Sequence, residues 1–274
     1  MSIFTHDDVQ FFYTDVGTGP TVLLLHGWTC DSHDWSWQIP FLTKLGFRVI
    51  AVDQRGHGRS SAPANGYGPQ TLADDAAALL RHIGSEPALV IGHSMGTVVA
   101  SALTVRHPEL VSAIGLVDPV YYLSEQDVAE PLAAIRGPQP CEAAAIFFRA
   151  AFYTPDTPES LITWHERRVL GTPPHVVREA LVGLFGDEHS LGLSHIAREY
   201  LLGRNVPRFA VYAAEETSRL ERELPLADHD EVHVIEDGGH FLHQHRADKF
   251  NELLTTWLTR IGKLPNSAEQ VAAI

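Results

Sequence analysis

Short, wholly apolar runs alternate with longer stretches of helical periodicity along most of this 274-residue chain. That alternation constrains the fold more than any other feature. A strand made only of apolar residues must be buried on both faces, and helices packed on the two sides of a parallel sheet supply that burial. Residues 21–26 (T-V-L-L-L-H), ending in Gly27, form one such run. Residues 47–53 (F-R-V-I-A-V-D), 88–91 (A-L-V-I) and 113–118 (A-I-G-L-V-D) form three more. Residues 9–15 read as an earlier strand, with Asp7-Asp8 as the hairpin turn before it. Leu72, Ala76, Leu79, Leu80 and Ile83 recur at helical spacing and predict a helix over 70–83. Another is predicted over 97–107, stopped by Pro108. Strand patterns return at 208–213 (R-F-A-V-Y-A) and 231–236 (E-V-H-V-I-E). A helix over 247–261 then closes the fold, with Phe250, Leu253, Leu254, Trp257, Leu258 and Ile261 on its apolar side. The tail 266–274 has little to anchor it and is expected to fray.

From 120 to 206 the strand–helix rhythm breaks. Ala-rich helical stretches are interrupted there by Pro131, Pro138, Pro140, Pro155, Pro158, Pro173 and Pro174. The expected architecture is an α/β core built from two chain segments, 1–119 and 207–274. A helical cap, 120–206, is inserted after the sixth strand. The length suits one such core plus an insertion and is too short for two full α/β domains.

Charge narrows the partners. The 20 Lys and Arg against 34 Asp and Glu give a net charge of −14. Such a surface repels phosphate backbones and anionic headgroups, so neither nucleic acid nor a membrane surface is an expected partner. The amino-terminal M-S-I-F-T-H-D-D has no basic or apolar export signature, and no apolar run reaches the length of a membrane span. The two cysteines, Cys30 and Cys141, have no C-x-x-C spacing and read as free thiols in a reducing compartment. A cytoplasmic location is the expectation.

Gly92-His93-Ser94-Met95-Gly96 has the form G-x-S-x-G. A serine that attacks a carbonyl must stand clear of the sheet on a sharp strand-to-helix turn, and glycines two residues away on each side remove the side chains that would collide there. The motif follows a predicted strand and opens a predicted helix, which is the placement this chemistry needs. A general base should then lie on a loop at the carboxyl ends of the strands. Of 16 histidines, His240 is the one in such a loop, in Asp237-Gly-Gly-His-Phe after the last predicted strand. His240, His243 and His245 cluster, but they lack H-E-x-x-H spacing and a carboxylate-supported ligand set, so no metal and no cofactor is expected.

Together, H-G-W at 26–28, D-Q-R-G-H-G-R-S at 53–60, G-H-S-M-G at 92–96 and G-G-H-F at 238–241 resemble the α/β-hydrolase fold family in order and spacing. The resemblance covers roughly 9–262; the insertion matches only by its position, as the cap. It implies a serine hydrolase branch in which Ser94 is the nucleophile and His240 the base. Oxyanion donors would be the backbone N–H of Met95, at a helix start where the dipole favours negative charge, and that of Trp28. The 53–60 turn is structural in the family, with Asp53 and Arg55 bracing loops. For the acid that orients the imidazole, two positions compete. Glu216, or its neighbour Glu215, follows the strand at 208–213, where most of the family carries the acid; Ala213-Ala-Glu-Glu216 departs from the usual Gly-x-x-Asp there. Asp118 ends the sixth strand, the position used by one subgroup of haloalkane dehalogenases and by the fungal zearalenone lactone hydrolases, which this chain resembles in that respect. Asp118 is the expected acid, with Glu216 as the alternative.

Substrate choice rests on the insertion, because loops and caps over the strand ends form the pocket. It is rich in aromatics, and Trp28, Tyr121, Tyr122, Phe148 and Trp164 are the expected pocket residues. No Lys or Arg is aimed at the site by its sequence position. A small hydrophobic ester or lactone is the expected substrate. Carbon–carbon bond hydrolysis or acyl transfer on the same scaffold stays open, as does a non-catalytic small-molecule receptor. An Asp nucleophile of the dehalogenase or epoxide hydrolase kind is disfavoured by Ser94. Oligomeric state is not legible.

Overall fold

The computed structural model describes residues 2–187 and 190–265; the tail expected to fray lies outside them. The chain opens with a hairpin, β1 (Ser2–His6) and β2 (Val9–Val16), whose turn residues Asp7 and Asp8 both take positive φ. Then follow β3 (Thr21–Leu25), α1 (Gln38–Lys44), β4 (Arg48–Val52), α2 (Pro69–His82), β5 (Ala88–His93), α3 (Met95–Arg106) and β6 (Val111–Val117). The eight described strands form one sheet, completed after an interruption by β7 (Arg208–Tyr212) and β8 (Glu231–Val234). Their order is β1-β2-β4-β3-β5-β6-β7-β8, with the β1–β2 and β2–β4 pairs antiparallel and the remaining pairs parallel.

Alternate residues of the buried strands feed two cores. Leu23, Leu25, Val90, Ile114 and Leu116 face α2, α3 and the insertion. Val22, Leu24, Leu89, Ile91, Ala113 and Val117 face the other side, against Phe250, Leu254, Trp257 and Leu258 of the closing helix. This is the period-two pleat expressed on a sheet covered on both faces.

Between β6 and β7 the chain runs through α4 (Glu125–Ile135), α5 (Pro140–Ala151), α6 (Glu159–Gly171), α7 (Pro174–Phe185) and α8 (Ser194–Leu201). After β7 come α9 (Glu215–Glu223), β8, α10 (Leu242–His245) and α11 (Ala247–Arg260). Ser124 and Asp127 form a capping box that starts α4, and Pro140 and Pro174 occupy first-turn positions, where a missing N–H costs nothing. The insertion is pinned to the core by polar contacts. Trp28 Nε1 donates to the Val177 carbonyl at 3.0 Å, and Arg168 on α6 pairs with the fully buried Asp34. No helix among the described residues is long and apolar enough to cross a membrane.

Tyr121 is fully buried at the root of the insertion, in a cluster of charges. Its hydroxyl donates to Glu221, which also takes Arg204 Nη2 at 2.6 Å and Arg208 at 2.9 Å; all three charged side chains are nearly or fully buried. Burial pushes the Glu221 carboxyl up, but the two guanidinium groups outweigh it and the net direction is down. Removing the carboxylate leaves Arg204 in the interior without its counter-charge. Glu221→Ala is therefore expected to lose about 3–5 kcal/mol, read as a lower urea midpoint at unchanged slope. A loss below about 1 kcal/mol would mean that the cluster is hydrated and contributes little.

Candidate active site

Ser94 sits between the end of β5 and the first turn of α3 with φ 51° and ψ −117°, a conformation that costs a non-glycine residue free energy. The turn is tight enough to require its glycines. A Cβ on Gly92 would lie 2.1 Å from the Gly96 carbonyl oxygen, and one on Gly96 would lie 2.2 Å from that of Leu25. The Ser94 N–H donates to the Val117 carbonyl at 3.0 Å, which ties the turn to the neighbouring strand. Ser94 is 7 % exposed, and that exposure opens into a cavity.

Asp118 directly follows β6 with φ 43°, a second strained non-glycine residue at the same sheet edge. Its backbone N–H donates to Val211 O at 2.7 Å, and its Oδ1 accepts the Ala213 N–H at 2.8 Å. The carboxylate is thereby fixed by the end of β7. Its other oxygen, Oδ2, meets His240 Nδ1 at 2.6 Å. Since a carboxylate only accepts, Nδ1 carries the proton and Nε2 is left with its lone pair. Glu216 is exposed in the first turn of α9, and its neighbour Glu215 pairs with Arg222. Of the two acid positions, the one in contact with His240 is Asp118.

The loop bearing His240 is braced from below by His93. Only its protonated Nε2 can donate to the His240 carbonyl, at 2.9 Å. Burial pushes the His93 pKa well below the usual imidazole range, so the ring stays neutral. His26 is likewise buried: it accepts from the Gln54 N–H at Nε2 and donates from Nδ1 to Gly27 O, holding the 26–28 turn. Arg55 forks onto Asp75 of α2, and Asp53 accepts from Ser32 and Arg59, so this turn is a brace. Met95 is the first residue of α3, so its N–H has no intrahelical acceptor. Gly27 lies close enough to the elbow that a Cβ would sit 3.2 Å from Ser94 Cβ, which brings the Trp28 backbone to the same side. Among the described residues no group of three His, Cys, Asp or Glu side chains converges for a metal ion.

Ser94, His240 and Asp118 line a common cavity of about 500 Å³. Trp28 and Tyr122 line it, as expected; the other apolar walls come from the insertion. Phe147 and Ala151 project from α5, Leu181, Leu184 and Phe185 from α7, and Val128 from α4. Three expected pocket residues lie elsewhere. Tyr121 turns into the Glu221 cluster described above. Phe148 stands one layer behind the wall, against Trp28 and Phe152. Trp164 packs at the outer edge of the insertion on His33, at 4.2 Å between ring centroids, and on Trp37. The lining residues that sequence reasoning missed carried a usable signal, because Phe147/Ala151 and Leu181/Leu184/Phe185 are spaced for one helix face.

A family model described as alpha/beta hydrolase fold matches residues 20–140. The solved structure of Est816, titled an N-acyl homoserine lactone degrading enzyme, superposes with a TM-score of 0.80 at 26 % identity, covering 93 % of this chain and 99 % of that one. The chain has the α/β-hydrolase fold. Among curated relatives, a non-heme haloperoxidase of Rhodococcus erythropolis is 41 % identical over 101 residues, 37 % of each chain. A bifunctional esterase/perhydrolase of Acinetobacter calcoaceticus is 40 % identical over 108 residues, 39 % of each. The matched stretch is thus under two-fifths of the length of either relative. The family-model match, residues 20–140, takes in the elbow at 92–96.

Proposed function

We propose that this chain is a serine hydrolase that cleaves small hydrophobic carboxylic esters or lactones through an acyl-enzyme. The observation that carries the reading is the 2.6 Å contact between Asp118 and His240 in the wall of the same apolar cavity into which Ser94 opens. In this reading Ser94 Oγ attacks the substrate carbonyl while His240 Nε2 takes its proton. Asp118 holds the tautomer and offsets the imidazolium charge. The Met95 and Trp28 N–H groups receive the oxyanion. His240 then gives the proton to the departing alcohol, and a water molecule deprotonated by the same histidine releases the acid. The esterase and lactone-degrading relatives support this bond type, and the apolar walls support an uncharged acyl group.

A fluorophosphonate should add a single label, on the peptide containing Ser94. Stoichiometric labelling of any other residue would remove the basis of the proposal. Cap residues should set acyl length. Val128→Trp would fill part of the cavity and is expected to lower kcat/KM for octanoyl esters at least about tenfold, while acetate turnover stays within about twofold. Equal losses on both would assign Val128 to folding rather than to the acyl site.

A further inference from the structure

One face of the His240 imidazole is covered by a ring from the insertion. Phe152, which follows α5, stacks on it with ring centroids 4.1 Å apart and planes 29° from parallel. The same residue holds the histidine by its backbone, since the His240 N–H donates to the Phe152 carbonyl at 2.9 Å. The approach is so close that Gly239, at φ 62°, could carry no side chain: a Cβ there would lie 2.8 Å from that carbonyl oxygen. Phe147 and Phe148 meet Phe152 edge-on at 5.1 and 4.6 Å, which fixes the direction its face presents.

Resting on the triad proposed above, we infer that Phe152 is a positioning residue of the reaction, stabilising the His240 imidazolium through the face of its ring. An aromatic face is electronegative and attracts a cation within about 6 Å of its centroid, more strongly where water is excluded. Titratable groups on four elements face His240. Asp118 after β6 supplies a negative charge, in the plane of the imidazole through Nδ1. His93 from β5 packs at 4.7 Å, while His165 of α6 and His243 of α10 also face it electrostatically. None of these three imidazoles adds positive charge at neutral pH: burial pushes His93 and His243 far down and His165 to about 4. Ser94 is uncharged. The carboxylate therefore acts at the edge of the imidazolium and the Phe152 ring above it. The cap takes part in proton transfer as well as in enclosing the substrate.

The test replaces Phe152 in the full chain with mono-, di- and trifluorophenylalanine, which keep the ring's shape and progressively weaken its negative face. Two readouts are taken across the series: the NMR titration midpoint of the His240 ring and kcat/KM on a nitrophenyl ester. The midpoint should fall stepwise, by about one pH unit at the trifluoro derivative, with about a tenfold loss of kcat/KM alongside it. A midpoint that stays constant across the series overturns the inference, even if Phe152→Leu is slow, because the ring would then be only a wall. A stepwise fall in a protein that turns over no ester leaves the imidazolium contact standing and sinks the hydrolase reading instead.

Discussion

Ser94→Ala is expected to lower kcat on an activated ester by about six orders of magnitude while the cavity still takes up the substrate. The size of the loss follows from the unity of the triad. With the nucleophile gone, His240 has no oxygen to activate, and the remaining rate comes from oxyanion stabilisation and binding alone. Binding should survive because Ser94 contributes one small polar group to a cavity whose apolar walls include Trp28, Tyr122, Phe147, Leu181 and Leu184. Fold should survive as well. The strain at φ 51° belongs to the backbone path between β5 and α3, and alanine meets the same steric limits as serine there. Single-turnover rates, with fluorescence titration of a non-hydrolysable ketone analogue, separate the two effects. A loss of less than about tenfold would show that the elbow serine is not the nucleophile.

Much of this site is readable from residue order because its parts sit where secondary structure changes. The elbow is announced by a strand, two glycines and a helix within ten residues. His240 is announced by a Gly-Gly loop between a strand and the closing helix. Asp118 ends an apolar run whose length leaves no doubt where the strand stops. What was not legible depends on how helices rotate about their axes. The prolines of the insertion read as breakers, yet Pro140 and Pro174 start helices and Pro131 lies inside α4. Without those boundaries, neighbouring aromatics cannot be assigned to faces. Phe147 enters the cavity while Phe148, one residue on and about 100° around the helix, packs behind Trp28. Tyr121 and Tyr122 part in the same way, the first toward Glu221 and the second toward the substrate space. The short helix α1 also escaped, since seven residues give too few turns for a periodic signal.

The choice of acid gives the second large effect. Asp118→Asn is expected to lower kcat by about four orders of magnitude, and Glu216→Gln by less than about tenfold. An asparagine at 118 can still accept the Ala213 N–H through its amide oxygen, so the turn at the end of β6 is preserved. Its amide can donate to Nδ1 and stabilise the opposite tautomer, in which Nε2 is protonated and cannot take the serine proton. It also brings no charge to offset the imidazolium. Glu216 does neither job for His240: it is exposed at the start of α9, on a helix whose first-turn acids suit the dipole. The separation between the two variants is at least about 4 kcal/mol of barrier, well above what a packing change at an exposed helix start produces. Circular dichroism and thermal melts on both variants would exclude unfolding as the cause. Should Glu216→Gln be the crippled enzyme and Asp118→Asn run near the parental rate, the 2.6 Å contact would be a structural pairing only. The acid would then have to reach His240 from α9 by a rearrangement of the loop after β7. That outcome would also remove the likeness in acid position to the zearalenone lactone hydrolases, and with it one ground for expecting a lactone among the substrates.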